Sequence, residues 1–321
     1  MKILFRSLCI SLATLALIQC KPDDNTTSVE VRDRQEVYNE NHAEIETFLK
    51  THKVTVSGNN ELSFTVVPEG SAESIWNQTE YPLADIMLKN DTRTNYTTTG
   101  VISDPVEYKV YYLVINQGGG ETAKTYDNHY TSYTGYSLDG TIFDKNNTGF
   151  WSSFPNQGNG TYSELISGYR QLTTLIKTAE SINQNSDGSY TAVNPGRIVA
   201  FLPSGLGYFD TYTTNLGKYK PSIFDITFLT RNEIDHDGDG ILTKYEDVDG
   251  DGNVWNDDTD GDGKPNFLDV DDDADGILTR TEITYQGQDE NGNTVNLIYP
   301  FDLIPTCTGG TLKKHLDPAC Q

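Results

Sequence analysis

Positive charge is what this chain has least of. Its 321 residues carry 23 Lys and Arg against 47 Asp and Glu, a formal net charge of −24. That balance argues against a nucleic-acid partner, whose phosphates would be repelled. The apolar stretch that opens the chain, residues 8–18, is too short to span a bilayer, which takes about 20 residues. No H-E-x-x-H, G-x-S-x-G or P-loop occurs, and the five His are scattered, so solvated or structural roles suit them best. Cysteine is scarce, with four in all.

The length is ample for two domains with sizeable cores. Lys2 and Arg6 precede the apolar stretch, which reads as an export signal over residues 1–19. Its ending, Leu17-Ile18-Gln19-Cys20, resembles a bacterial lipobox. The resemblance implies Cys20 as the lipid-bearing first residue of a chain anchored to a lipid membrane, not spanning it. An incidental cysteine is the alternative. "CKPDD" resembles the surface-export tag of Bacteroidetes lipoproteins, and residues 20–35 read as a polar tether. The expected location is the cell envelope at the outer membrane, on its periplasmic or surface face. Cys9 then leaves with the signal, so Cys307 and Cys320 remain in an oxidising compartment. A disulfide pinning the tail at 283–321 is expected, although their spacing permits a small loop without requiring one.

Residues 36–103 form a region without recognisable chemistry. Val37, Ala43, Ile45, Phe48 and Leu49 fall at roughly helical spacing, which predicts a short helix over 37–50, with strand-rich chain after it. From Asp104 the pattern sharpens. "VEYKVYYLVI", "NHYTSYTGYS" and "TIFD" read as strands joined by turns, "GRIVAFLP" and "SIFDITFLT" as two more. Between them "YSELISGYRQLTTLIKTA" (162–179) puts Leu165, Tyr169, Leu172, Leu175 and Ile176 on one helical face. Antiparallel strands around one helix make an α+β domain over 104–231.

"YTGYSLDGTIFD" (133–144), "ELISGY" (164–169), "LPSGLGY" (202–208) and "IFDITFL" (223–229) resemble, in this order, an FKBP-type peptidyl-prolyl isomerase. The resemblance implies an antiparallel sheet wrapped around a short helix, with an apolar cup between them for proline-containing polypeptides, and no cofactor for catalysis. It implies site roles for Tyr133, Phe143 and Asp144, for Leu165 and Ile166 beside the substrate backbone, for Tyr169 as floor, and for Tyr208, Leu216 and Phe224 as walls. Either Phe150 or Phe154 supplies one more wall. On periodicity alone Tyr133, Phe143, Tyr169 and Phe224 would read as core aromatics; the order of the motifs reverses that. The chain departs from the family in Tyr169, where Trp is usual, in "FDTYTTN" after Tyr208, in "LGKYKP" at the tip, and in a lengthened loop at 181–196.

Residues 235–276 hold fifteen Asp and one Glu against two Lys. Asp235, Asp237, Asp239 and Glu246 fit the D-x-D-x-D-G-x5-E spacing of a calcium loop, and Asp271, Asp273, Asp275 and Glu282 repeat it. Between them lie Asp247, Asp249 and Asp251, ending near Asp258, then Asp258, Asp260 and Asp262, ending at Asp269. Starts 12, 11 and 13 residues apart leave no room for paired EF-hands. The array over 235–282 resembles thrombospondin type-3 repeats, which implies structural Ca2+ and a small core of Ile241, Leu242, Val254, Phe267, Ile277 and Leu278. A disordered acidic linker is the alternative. Two functional readings follow: a lipid-anchored isomerase or folding helper with a calcium-rigidified acidic module, or a catalytically weak or inactive FKBP-like binding or adhesion lipoprotein.

Overall fold

Asp33 opens the first helix by accepting a hydrogen bond from the Glu36 amide at 2.9 Å, which satisfies one of the orphan donors of a helix N-terminus. Helix α1 therefore starts before the apolar face expected over 37–50 and runs Arg34–Thr51. Its buried residues are Val37, Asn41, Ile45, Phe48 and Leu49. These coordinates come from a computed structural model that describes residues 30–58, 60–93, 100–156 and 164–320. The export signal, Cys20 and most of the tether lie outside the described residues. Contacts separate Met1–Val31 from Arg32–Gln321, and the second unit is described below.

After α1 come hairpin β1 (His52–Val56) and β2 (Leu62–Val66), then β3 (Leu83–Lys89), β4 (Glu107–Asn116), β5 (Asn128–Ser137) and β6 (Ile142–Ser152). Helix α2 (Ser167–Thr173), hairpin β7 (Ser181–Gln184) and β8 (Tyr190–Val193), then β9 (Gly196–Leu202) and β10 (Ser222–Asn232) complete this part. Six strands form one antiparallel sheet in the order β3-β4-β9-β10-β5-β6. Both faces are covered. Tyr169 and Leu172 of α2 pack with Tyr108, Ile198, Ala200, Phe224, Ile226 and Phe228 on one face. On the other, Ile45, Phe48 and Leu49 of α1 pack with Tyr111, Leu113, Val199, Phe201 and Ile223. That is why β9, Gly196–Leu202, is buried along its whole length and is apolar without a break from Ile198 to Leu202.

Two expectations change here. The sheet does not begin at residue 104, because β3 is its edge strand and α1 its second cover. The helix expected over 162–179 shrinks to Ser167–Thr173, and residues 162–163 lie outside the described residues. Past Thr173 the backbone leaves the helix to bond elsewhere: the Lys177 amide donates to Gln117 O, that of Thr178 to Glu121 O, and that of Ala179 to Leu229 O. The glycine turn makes this approach feasible, since a Cβ on Gly120 would lie 2.2 Å from Ala179 O. The lengthened loop at 181–196 is the β7–β8 hairpin.

The acidic segment follows as loops separated by single helical turns at Thr243–Tyr245, Asn266–Leu268 and α3 (Thr279–Glu282), then hairpin β11 (Thr284–Gln288) and β12 (Thr294–Ile298). Val254, Trp255, Phe267 and Leu268 pack on Tyr126 and Phe154 of the sheet unit. Ile241, Ile283 and Ile304 form a second small core with Ile298, Tyr299 and Phe301, so the expected tail is structural. Leu278, expected inside, is 50% exposed. Leu242 and Ile277 are half-buried. Cys307 and Cys320 are joined by a disulfide with Cα atoms 5.5 Å apart. Among the described residues, no helix is long and apolar enough to cross a membrane.

Phe48 lies 5.3 Å from Phe64 and 6.1 Å from Phe201, ring centre to ring centre, and is almost fully buried. Phe48→Ala is expected to lower stability by about 3–5 kcal/mol in chemical denaturation. An unchanged midpoint would make α1 a dispensable cover.

Candidate functional site

The cleft on the α2 face has a volume of about 310 Å³ and is lined by Tyr133, Asn146, Phe150, Glu164, Leu165, Ile166, Tyr169, Tyr208 and Phe224. Alternation along β5 and β10 puts Tyr133 and Phe224 on the same face of adjacent strands, with ring centroids 5.8 Å apart. Tyr169, on α2 above them, meets Tyr133 at 5.7 Å and 85° and Phe224 at 5.6 Å and 80°. Phe150 meets Tyr133 at 5.7 Å and 70°. These edge-to-face angles are the favoured arrangement for rings that share a pocket.

Phe150 is the wall residue, and Phe154 is buried against Trp255 instead. A bulge in β6 separates the two pairings Tyr133↔Asn146 and Thr131↔Phe150. Asn146 Oδ1 holds the bulge by accepting from the Thr148 and Gly149 amides at 3.1 and 3.0 Å. Phe143 stands behind the cleft, 5.7 Å from Phe224 and 5.9 Å from Tyr208, over Gly135, where a Cβ would lie 2.7 Å from its ring. Leu216 is not brought to the cleft. Its loop folds back on α1, where Asn41 Nδ2 donates to Tyr219 O at 2.9 Å and the Arg34 guanidinium lies 4.1 Å from the Phe209 ring centre.

The polar groups are few and directed. Tyr169 donates to Thr131 Oγ1 at 3.0 Å, which satisfies its hydroxyl beneath the floor. Tyr133 donates to Asp144 Oδ2 at 2.6 Å. Burial and then this carboxylate raise the Tyr133 hydroxyl well above its ordinary pKa. Burial, then Asp144, push the Tyr208 hydroxyl up to about 12, so it is a neutral donor at physiological pH. Among the described residues the Tyr208 hydroxyl and the Ile166 amide have no hydrogen-bond partner, and both border the cleft. Ile166 is the N-cap of α2, where the chain is extended at φ −56° and ψ 146° and its own amide is left over.

That N-cap is braced from the region before residue 104. Asp91 accepts from Ser167 Oγ at 2.6 Å and from Arg170 Nη2. Arg170 Nη1 donates to Leu165 O at 3.0 Å, and its guanidinium lies 3.4 Å from the Phe154 ring centre. Asn146 and Glu164, absent from the expected set, line the cleft. Glu164 opens the "ELISGY" motif, so its place there was open to reading.

The acidic loops share one construction. Gly240, Gly252 and Gly263 donate their amides to Asp235, Asp247 and Asp258 at 2.9–3.0 Å. Each of these glycines, and Gly276, has a positive φ between 88° and 110°. The curl gathers Asp235, Asp237 and Asp239; Asp247, Asp249 and Asp251; Asp258, Asp260 and Asp262; and Asp271, Asp273 and Asp275 into groups whose oxygens lie within 4.8 Å of one another. Glu246 and Glu282 are buried at 3% and 4% exposure.

Carboxylate oxygens of Asp237, Asp239, Glu246, Asp247, Asp271, Asp273, Asp275 and Glu282 find no donor among the described residues. Burial and neighbouring acids push the carboxyls of Asp237, Asp239, Glu246 and Glu282 up. Oxygen-only donors with orphaned buried atoms fit a hard divalent cation. Asp269 instead pairs with Lys264 at 3.2 Å. Asp257, not Asp258, reaches back to the second loop and accepts from the Val248 and Asp249 amides at 3.0 and 3.2 Å. Asp272 joins Asp239 and Glu246.

Among protein-family models, that of the BamM C-terminal region matches residues 236–314. No curated protein matches the chain. Among solved structures it is similar to a peptidyl-prolyl cis-trans isomerase from Pseudomonas syringae pv. tomato, at TM-score 0.29 and 17% identity over 39% of this chain and 76% of that one. FkpA from Escherichia coli gives 0.29 and 21% over 38% of this chain and 48% of its own. The N-terminal domain of FKBP42 from Arabidopsis thaliana gives 0.29 and 11% over 47% and 100%.

Arg170 is 3% exposed and loses its carboxylate partner in Asp91→Ala. We expect a loss of about 3 kcal/mol in thermal or chemical unfolding, with faster amide exchange at residues 164–168. Unaltered exchange there would mean that Asp91 does not brace the cleft.

Proposed function

We propose that this chain is an FKBP-type peptidyl-prolyl cis-trans isomerase or folding helper for exported polypeptides, lipid-anchored through Cys20 at the cell envelope, with acidic repeats made rigid by calcium. The observation that carries the catalytic part is the ring-lined cleft bordered by the unpartnered Ile166 amide and Tyr208 hydroxyl. The match to the BamM C-terminal model is compatible with an outer-membrane-related protein.

Rotation about a prolyl amide has a barrier of about 18–20 kcal/mol because the planar form is resonance-stabilised. At the halfway geometry the amide loses that resonance and much of its dipole. A water-poor cleft of rings therefore favours the twisted form over the planar one. Tyr133, Phe150, Tyr169 and Phe224 supply the apolar walls for a flat proline ring. The Ile166 amide holds a substrate carbonyl, which fixes the backbone on one side of the rotating bond. Tyr208, kept protonated, donates a second hydrogen bond on the other. No nucleophile or metal enters the step.

The test is a proline-isomerisation assay on the full chain, with a peptide carrying one X-Pro bond. The wild type is expected to accelerate exchange over buffer. Tyr208→Phe removes about 1 kcal/mol and slows the reaction about fivefold. Phe224→Ala removes about 1.5–3 kcal/mol of apolar contact and costs tenfold or more. Equal rates for wild type and buffer would end the catalytic reading and leave a binding module.

For the acidic module, the donor chemistry of the loops supports calcium. A bound ion would supply the positive charge that the segment itself lacks. Limited proteolysis is expected to spare residues 235–282 in calcium and to cut them once a chelator is added. The same fragments in both conditions would remove calcium from this account.

A further inference from the structure

In the first, third and fourth acidic loops the second position bonds to a residue farther along the module rather than to the loop's own ligands. His236 Nδ1 meets Thr243 Oγ1 at 2.8 Å, the Thr259 amide donates to Asn266 Oδ1 at 2.9 Å, and the Asp272 amide donates to Thr279 Oγ1 at 3.2 Å. These three positions are thereby tied to the single helical turns that form the spine of the module, whereas Val248 in the second loop is exposed. In the fourth loop the spine-facing residue is itself an acid. Its carboxylate lies with those of Asp239 and Glu246 from the first loop, ligand oxygens all within 4.8 Å of one another.

The three side chains are among the most enclosed acids in the chain, with Asp239 and Asp272 at 2% exposure and Glu246 at 3%. Both oxygens of Glu246, both of Asp272 and Oδ2 of Asp239 lack a hydrogen-bond donor among the described residues. Arg280, a cation of the same module, is exposed and donates to Gly238 O at 3.1 Å. Three buried carboxylates at this distance, with five orphaned oxygens, repel one another strongly in a medium of low dielectric. Buried charge of this kind is otherwise paired or coordinates a metal.

We propose that Asp239, Glu246 and Asp272 hold a divalent cation of calcium's class that ties the first acidic loop to the fourth. The inference rests on the calcium reading of the module but goes beyond the four loops. Asp239 belongs both to this group and to the first loop's own group, and Glu246 is that loop's twelfth residue, so the two ions share these ligands. An ion between the loops acts as a cross-link that joins the two ends of the segment, as a disulfide would. Its removal leaves like charges facing each other across the spine.

The experiment uses the full chain and Asp272→Asn, an isosteric change at a residue that serves no loop of its own. Bound calcium is counted by native mass spectrometry at fixed free calcium, and melting is followed with calcium and with chelator. The variant is expected to hold one ion fewer than wild type. It is also expected to melt above wild type in chelator, because a buried like charge is gone, and below it in calcium. Shifts of the same sign in both conditions with an unchanged ion count would overturn the cross-link and leave the four-loop reading standing. A wild type that holds no calcium would remove both. Where the variant does not fold, anomalous diffraction from calcium-loaded wild-type crystals decides: a peak between the three carboxylates is expected, and its absence overturns the site.

Discussion

A sheet that is apolar on both faces must be covered on both, and the rest of this molecule depends on that constraint. Strand β9 has no solvent-facing side, so neither helix alone suffices. Helix α2 covers one face and brings Tyr169 over the cleft. Helix α1 covers the other and also reaches around the sheet edge, through Arg34 to Asp104 at 2.8 Å. Asp104 in turn accepts from Tyr108 at 2.9 Å, beneath the Pro203–Tyr208 loop, where a Cβ on Gly205 would lie 2.1 Å from the Tyr108 hydroxyl oxygen. The cover on the far face thus fixes the loop from which Tyr208 enters the cleft.

The acidic module meets the sheet unit beside the same cleft. Phe154 follows β6 and packs on Trp255, which packs edge-on against Phe267 at 4.8 Å. Four residues earlier in the chain, Phe150 forms the cleft wall. Arg170 lies over Phe154 on one side and holds Leu165 O on the other. The hydrophobic contact between module and sheet is therefore continuous with the residues that shape the cleft. Whatever orders Trp255 and Phe267 also steadies Phe154 and, through Arg170, the extended chain before α2.

Much of this was legible in the chain because local pattern and global packing agree. The β5, β9 and β10 strands begin and end near their turn residues, and the ring residues sit on one face because strand alternation puts them there. What was not legible depended on distant partners. The helical period through Leu175 and Ile176 is real, yet the backbone beyond Thr173 bonds to Gln117, Glu121 and Leu229, which no local window contains. Leu216 follows a loop that α1 captures through Asn41 and Arg34. Phe150 and Phe154 could not be told apart until the bulge at Asn146 set the register. Asp272 looked like one more acid in "VDDDADG"; its amide donates to Thr279 Oγ1, seven residues on, and its carboxylate lies with Asp239 and Glu246 from the first loop.

Charge is handled in two opposite ways within one chain. In the sheet unit nearly every enclosed acid has a cation built in: Asp225 takes Arg197 at 2.6 Å, Asp104 takes Arg34, and Asp91 takes Arg170. Arg231 serves Asp127 at 3.3 Å. Such pairs hold because removing either partner strands a charge in low dielectric. The acidic segment follows the reverse rule. Of its two lysines, Lys244 turns outward to Glu233 at 2.6 Å and Lys264 takes Asp269, so neither answers the buried groups around Glu246 and Asp272. The shortage of Lys and Arg is thus localised, and it falls where the carboxylates are most enclosed. On the proposed calcium reading, the positive charge that the chain does not encode comes from solution, and the segment's rigidity would be a property of the medium as much as of the sequence.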